Sequence, residues 1–253
     1  MLASSTLRWQ LAITLVAAAL PTLGADINDR CHATSPKHRV ALVELFTSEG
    51  CSSCPPADNW LRKQASRLKT DQAIFISNHV PYWDYLGWKD RFANPVFEQR
   101  QRQLARINRT TVYTPQFFVN GKEARFRFWD KNVNERIGEL AEQSAPVVLT
   151  IKKDGSQARF QWQNATDPQM HSYVALTSDS QKTQVTAGEN NRATLKHAQV
   201  TRWWKGPFKI STPQGGFEVK IPYIADKGNG NIIFFLANKH NEIVQAVALP
   251  RDC

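Results

Sequence analysis

The chain has 253 residues, of which 32 are Lys or Arg and 22 are Asp or Glu, giving a formal charge of +10. Its length fits one large domain or two small ones. Such a cationic balance can attract nucleic acid, anionic lipid or acidic glycans, but the basic side chains are thinly spread. In the densest group, Arg100, Arg102, Arg106 and Arg109, helical spacing puts Arg102, Arg106 and Arg109 on one solvated face, so no nucleic-acid partner is expected.

The N-terminus carries Arg8, an uncharged apolar stretch from Leu11 to Leu20, and small residues within Pro21-Thr22-Leu23-Gly24-Ala25. This is the pattern of a secretory signal over residues 1–25, cut near Gly24 or Ala25, with a retained anchor as the alternative. No later segment approaches the ~18 consecutive apolar residues of a spanning helix. A periplasmic or secreted protein with no membrane span after cleavage is therefore expected.

An apolar, β-branched run from Val40 to Phe46 then leads into Cys51-Ser52-Ser53-Cys54-Pro55-Pro56 and a helix-like segment from Ala57 to Leu68. Strand, Cys-x-x-Cys and helix in that order make a thioredoxin-type redox site. Two cysteines three apart can close a small disulfide ring, and the helix N-terminus favours a thiolate over a thiol. Because Pro55 and Pro56 lack N–H groups and suit the first helical positions, the helix should start near Ser53 or Cys54. Cys51 then gains less from the helix end, and the Ser52 and Ser53 hydroxyls can compensate. The alternatives are half of a zinc site or a structural disulfide. Neither a second Cys-x-x-Cys nor a close His pair completes a zinc site. Glu44 lies inside the apolar strand, where an unpaired charge is costly; it is expected either to exchange a proton with Cys54 or to pair with a basic residue.

A second buried strand is expected from Gln72 to Val80, placing His79 near the sulfurs or in a structural role. Pro81 to Trp88 follows, with Trp83, Tyr85 and Trp88 lining a groove or forming a packed cap. A helix is expected from Asn94 to Ile107, since Asn-Pro is a start signal. Residues 112–119 read as extended up to a turn at Asn120-Gly121, with a return strand from Ala124 to Phe126. In a thioredoxin-like order Pro115 after Thr114 is the candidate cis proline, and residue 114 then offers its backbone to a substrate beside the sulfurs. A further helix is expected over Asp130 to Gln143.

Beyond Pro146 the pattern changes to short strand-like runs: Val147 to Lys152, Ala158 to Asn164, Ser172 to Thr177, Thr194 to Trp204, Gly216 to Ile221 and Ile232 to Leu236. The expected fold is an α/β thioredoxin-like domain over residues 26–145 followed by a β-rich, sandwich-like module over 146–253. Four cysteines remain after signal cleavage and allow three pairings. If Cys51 pairs with Cys54, the other structural disulfide is Cys31 with Cys253, tying the two ends of the mature chain.

The stretch Val43-Glu44-Leu45-Phe46-Thr47-Ser48-Glu49-Gly50-Cys51-Ser52-Ser53-Cys54-Pro55-Pro56-Ala57-Asp58 resembles secreted bacterial proteins of the thioredoxin-like superfamily catalogued as domain of unknown function 1223. So do Tyr82 to Asp90, Tyr113-Thr114-Pro115-Gln116, and Ala187-Gly188-Glu189-Asn190 with Leu195 and His197. The chain departs from that pattern at Pro81, where an acidic residue is usual, and at Arg91, where proline is usual. The resemblance implies export in a Gram-negative bacterium. The function expected is thiol–disulfide exchange with protein or small-thiol substrates: Cys51 and Cys54 react, Thr114-Pro115 presents backbone and Glu44 moves protons. No organic cofactor is implied. The rival readings are Cu(I) handling by Cys51 and Cys54 with His79, or a binding module with an inert disulfide.

Overall fold

In the computed structural model, residues 31–125, 129–224 and 229–253 are described. The expected leader at residues 1–25 and the far end of the strand expected up to Phe126 lie outside them. A short β1 (His32–Thr34) precedes β2 (Ala41–Thr47), which is buried at every position. Burial on both faces is why its sequence reads as a continuous apolar run. The chain then forms α1 (Pro55–Arg67), capped by Cys54 with proline at its first positions, and β3 (Ala73–His79), parallel to β2 and in register from Ala41 opposite Ala73. Helix α2 (Pro95–Asn108) starts at Asn94, whose side chain accepts from the Val96 amide at 3.0 Å. Strand β4 (Gln116–Val119) runs antiparallel to β2. Asn120 and Gly121, at φ 47° and 80°, turn it into β5 (Lys122–Ala124), the two-residue hairpin that Asn-Gly favours. Helix α3 (Trp129–Ala141) closes this half.

Side-chain alternation along β2 sets the layers. Ala41, Val43 and Leu45 pack against Ala57 and Leu61 of α1 and Val133, Ile137 and Leu140 of α3. Phe46 points the other way, onto Phe97 and Leu104 of α2.

The second half supplies β6 (Val148–Asp154), β7 (Gln157–Gln163), β8 (His171–Ser178), β9 (Gln181–Gln184), β10 (Thr194–His197), β11 (Val200–Lys209), β12 (Gly215–Lys220), β13 (Asn231–Ala237) and β14 (Ile243–Pro250). The run expected as one strand from Thr194 to Trp204 is broken at Gln199, at φ 52°, into β10 and β11. That break lets β11 reach the first half. A parallel pairing of Val200 with Ser77 places β11 beside β3, and an eight-stranded sheet runs β14-β13-β8-β11-β3-β2-β4-β5. The sheet therefore crosses the boundary drawn at residue 146. The four-stranded sheet β1-β6-β7-β12 lies over it, where Leu149, Ile151 and Phe160 meet Val174, Leu176, Phe234 and Val247. The start of β14 comes back against β2: Arg39 donates to the Ile243 carbonyl at 2.6 Å, and Asn120 Nδ2 donates to the same oxygen at 3.1 Å.

Candidate functional site

Cys51 and Cys54 sit at the β2–α1 junction, both fully buried. Cys54 is the residue preceding the helix, so its amide turns back to the Cys51 carbonyl at 3.2 Å while its own carbonyl starts the helical bonding. The Cys51 sulfur lies 3.2 Å from Ser53 Oγ and 3.7 Å from the Thr114 carbonyl oxygen. The Thr114–Pro115 peptide bond is cis, and Trp83 Nε1 donates to Thr114 Oγ1 at 2.7 Å.

These contacts set the two thiols apart. A hydrogen bond from the Cys54 thiol, aided by the Ser53 and Thr114 hydroxyls and the Ser53 amide, outweighs burial and pulls the Cys51 thiol down to about 6. Burial pushes Cys54 well up, helped by its bond to Cys51 and by the charges of Cys51 and Asp58. Ser53 thus does through its hydroxyl and amide what the helix end, displaced to Cys54, does less of for Cys51.

Glu44 is not placed beside Cys54. It faces away from α1, on the side of β2 that carries Phe46, and Arg100 of α2 grips it through Nε at 2.6 Å and Nη2 at 2.7 Å. This is the basic-partner alternative, and it takes the carboxylate away from the Cys54 position that the proton-moving role required. A bidentate pair satisfies both carboxylate oxygens. The Arg100 guanidinium also lies 5.1 Å from the Trp204 ring centroid and 5.2 Å from that of Tyr173, so the pair staples the first half to the second.

The carboxylate near Cys54 is Asp58, one helical turn on. Thr47 Oγ1 donates to its Oδ2 at 3.3 Å, and His197 Nδ1 approaches the same oxygen at 3.7 Å. The other ring nitrogen of His197 lies 3.3 Å from Glu49 Oε1. Burial works against a charged His197, but the bonds and charges of Asp58 and Glu49 prevail and lift it to about 10. Glu49 Oε2 accepts from Trp88 Nε1 at 2.9 Å.

His79 belongs to this cluster and not to the sulfurs. Its Nδ1 is 2.7 Å from Asp90 Oδ2, which also accepts from the Glu49 amide at 2.9 Å. The Cu(I) ligand set of Cys51, Cys54 and His79 is therefore not assembled. Among the described residues no group of three or more His, Cys, Asp and Glu side chains is arranged to hold a metal ion.

The loop between β9 and β10 closes over the dithiol. Glu189 accepts from the Ser52 amide at 3.0 Å, and Asn190 Nδ2 donates to the carbonyls of Glu49 at 2.9 Å and Cys51 at 3.0 Å. Gly188 is at φ +68°, and a side-chain carbon added there would come within 3.2 Å of Trp88 Cβ. Of the three aromatic residues expected as groove or cap, Trp83 and Trp88 are tied into the site and Tyr85 is 79% exposed. Burial and the neighbouring Cys31 side chain push the Cys253 thiol up to about 12. All four cysteines are thiols here.

Asp58, Glu49, Thr47 and His197 were not selected as site residues from their chemistry, although the family-like motifs include them. The available signals were small: an acidic residue four positions after Cys54, and alternation in Thr194-Leu195-Lys196-His197 that points Leu195 and His197 inward.

The chain belongs to the family described as "Protein of unknown function (DUF1223)", whose model matches residues 42–236. A crystal structure of an Agrobacterium tumefaciens protein is 27% identical, with a TM-score of 0.63, covering 85% of this chain and 96% of that one. HBP35 of Porphyromonas gingivalis, 16% identical over 84% of this chain and 75% of its own, shares the fold at a TM-score of 0.59. No curated protein matches.

Proposed function

We propose that the chain is an exported thiol–disulfide oxidoreductase on a thioredoxin-like scaffold, in which Cys51 forms the bond to a protein or small-thiol partner and Cys54 resolves it. The observation that carries the reading is the asymmetry of the pair: a sulfur held by the Ser53 and Thr114 hydroxyls with its thiol lowered to about 6, beside one whose thiol is raised. An attacking thiolate near neutral pH and a protonated resolving thiol are what exchange requires. An inert structural disulfide has no use for that difference. The Thr114 carbonyl, 3.7 Å from the Cys51 sulfur, is where an extended partner would find backbone to pair with.

The test is the reduction potential of Cys51/Cys54 in a Cys31→Ser, Cys253→Ser background, equilibrated against glutathione buffers with thiols counted by mass. A value between about −270 and −120 mV, the span of catalytic dithiols, is expected; one below about −300 mV marks a structural disulfide and overturns the reading.

A further inference from the structure

The exchange reading leaves one requirement without a residue, now that Glu44 is taken by Arg100: the proton of Cys54 must go somewhere when that sulfur attacks. Three independent features converge on the answer. The Thr47 hydroxyl donates to Asp58 Oδ2 at 3.3 Å and stands close enough to the Cys54 thiol to pull it down, so it lies between sulfur and carboxylate. Asp58 is only 5% exposed, and its Oδ1 is a buried acceptor with no hydrogen-bond partner among the described residues. A cavity of about 270 Å³ between α1 and β10 is lined by Asp58, Asn59, Arg62, Thr194 and Lys196.

We propose that Asp58, held in place by His197 of the second half, receives the proton of Cys54 through the Thr47 hydroxyl and passes it to solvent through the cavity beside α1. The proposal rests on the exchange reading. In the step itself, a substrate disulfide has already been attacked by Cys51, leaving Cys51 bonded to one substrate sulfur. Cys54 then attacks Cys51. The Cys51–Cys54 bond forms, the Cys51–substrate bond breaks, and the substrate sulfur that Cys51 held leaves as a thiolate, the other having left in the first attack. Thr47 takes the Cys54 proton while giving its own to Asp58. The dithiol loses two electrons and the substrate disulfide gains them. Run backwards, the same path returns the proton to Cys54.

His197 is a positioning residue: it touches neither sulfur, but its ring stands between the Asp58 and Glu49 carboxylates, 3.7 Å and 3.3 Å away. Without it two buried anions would face each other unscreened. The groups that face the relay are Cys51 and Cys54 from the redox loop, Glu49 from the turn after β2, and Tyr82 and Asp90 from the aromatic segment. His79 of β3 and Arg62 of α1 complete the set, with His197 and Lys196 from β10. A histidine supplied by the second half at the base of a dithiol in the first gives the two halves a shared chemical task.

The probe is dithiobis-nitrobenzoate on the fully reduced protein in the Cys31→Ser, Cys253→Ser background. Attack by Cys51 releases the first thionitrobenzoate at a rate proportional to reagent; attack by Cys54 releases the second at a rate independent of it. In Asp58→Asn the second phase should slow by about tenfold or more, the usual scale for removing a positioned base, with the first phase changed less than about twofold. The slowed phase should gain roughly tenfold per pH unit between about pH 6 and 8 as hydroxide substitutes for the carboxylate, a change that a merely structural role would not produce. Asp58→Glu should restore part of the rate, and His197→Gln should slow the second phase in the same direction. Thr47→Val, which removes only the bridging hydroxyl from a buried strand position, reads the same step if Asp58→Asn does not fold. A second phase unchanged in rate and pH profile in the folded variants overturns the relay alone. A wild-type protein that releases no second equivalent overturns the exchange reading itself.

Discussion

Single side chains carry the largest energetic stakes in this molecule. Glu44 and Arg100 are buried, at 0% and 5% exposure, and paired only with what surrounds them. Removing one partner from a buried ion pair strands the other and costs about 3–5 kcal/mol, whereas replacing both with apolar side chains is far milder. Glu44→Leu should therefore lower the urea midpoint sharply, and Glu44→Leu with Arg100→Leu should recover much of the loss. His197 contributes with the opposite chemistry. Its folded-state value of about 10 stands above 6.5, so its stabilisation is complete below about pH 6.5 and is lost as pH rises through about 10. His197→Gln should flatten the urea midpoint over that alkaline window. Glu44 was legible as a carboxylate in an apolar strand. Its partner was not, because Arg100 belongs to a run of arginines, and only the arrangement of α2 across β2 shows that one of them turns inward. Asp58 was hidden for the same reason, since its neighbours Thr47 and His197 are distant in sequence.

Elements whose local signals were strong formed close to where sequence placed them. Asn94 starts α2, with its side chain on the Val96 amide, and Asn94→Ala should cost about 1 kcal/mol in thermal or urea unfolding. The alternation in β7, where Ala158, Phe160 and Trp162 are buried between exposed neighbours, marks a half-solvated strand. Strands β1 and β9 were not legible, being short and polar, and the division of β10 from β11 depends on a left-handed Gln199 that no sequence rule demands. That single backbone turn is consequential, because it carries Val200 from beside His197 to its place opposite Ser77. The apolar run of β14 was readable in principle, but its return against β2 depends on Arg39 and Asn120 meeting a strand about 200 and 120 positions away.

On the scale of the whole molecule, Cys31 and Cys253 are neighbours next to the β1–β6 edge, where Lys153 donates to the Cys253 carbonyl at 3.4 Å. Oxidation to a disulfide would close nearly the full chain into a loop, worth roughly 5 kcal/mol at most by chain entropy. In a Cys51→Ser, Cys54→Ser background, calorimetry should show a higher melting temperature for the oxidised protein than for the reduced one, and adding Cys31→Ser should abolish that difference. The eight-stranded sheet has a different consequence. The division at residue 146 marks a change in secondary structure, yet β3 lies between β2 on one side and β11 on the other. Excising residues 26–145 would uncover the flank of β3, which carries Ile74 and Ile76, as an unpaired apolar strand edge inviting intermolecular pairing. It would also remove His197 from beneath the cysteines. The redox loop is therefore not a transplantable cassette: anyone grafting it onto another protein would have to carry the entire chain with it.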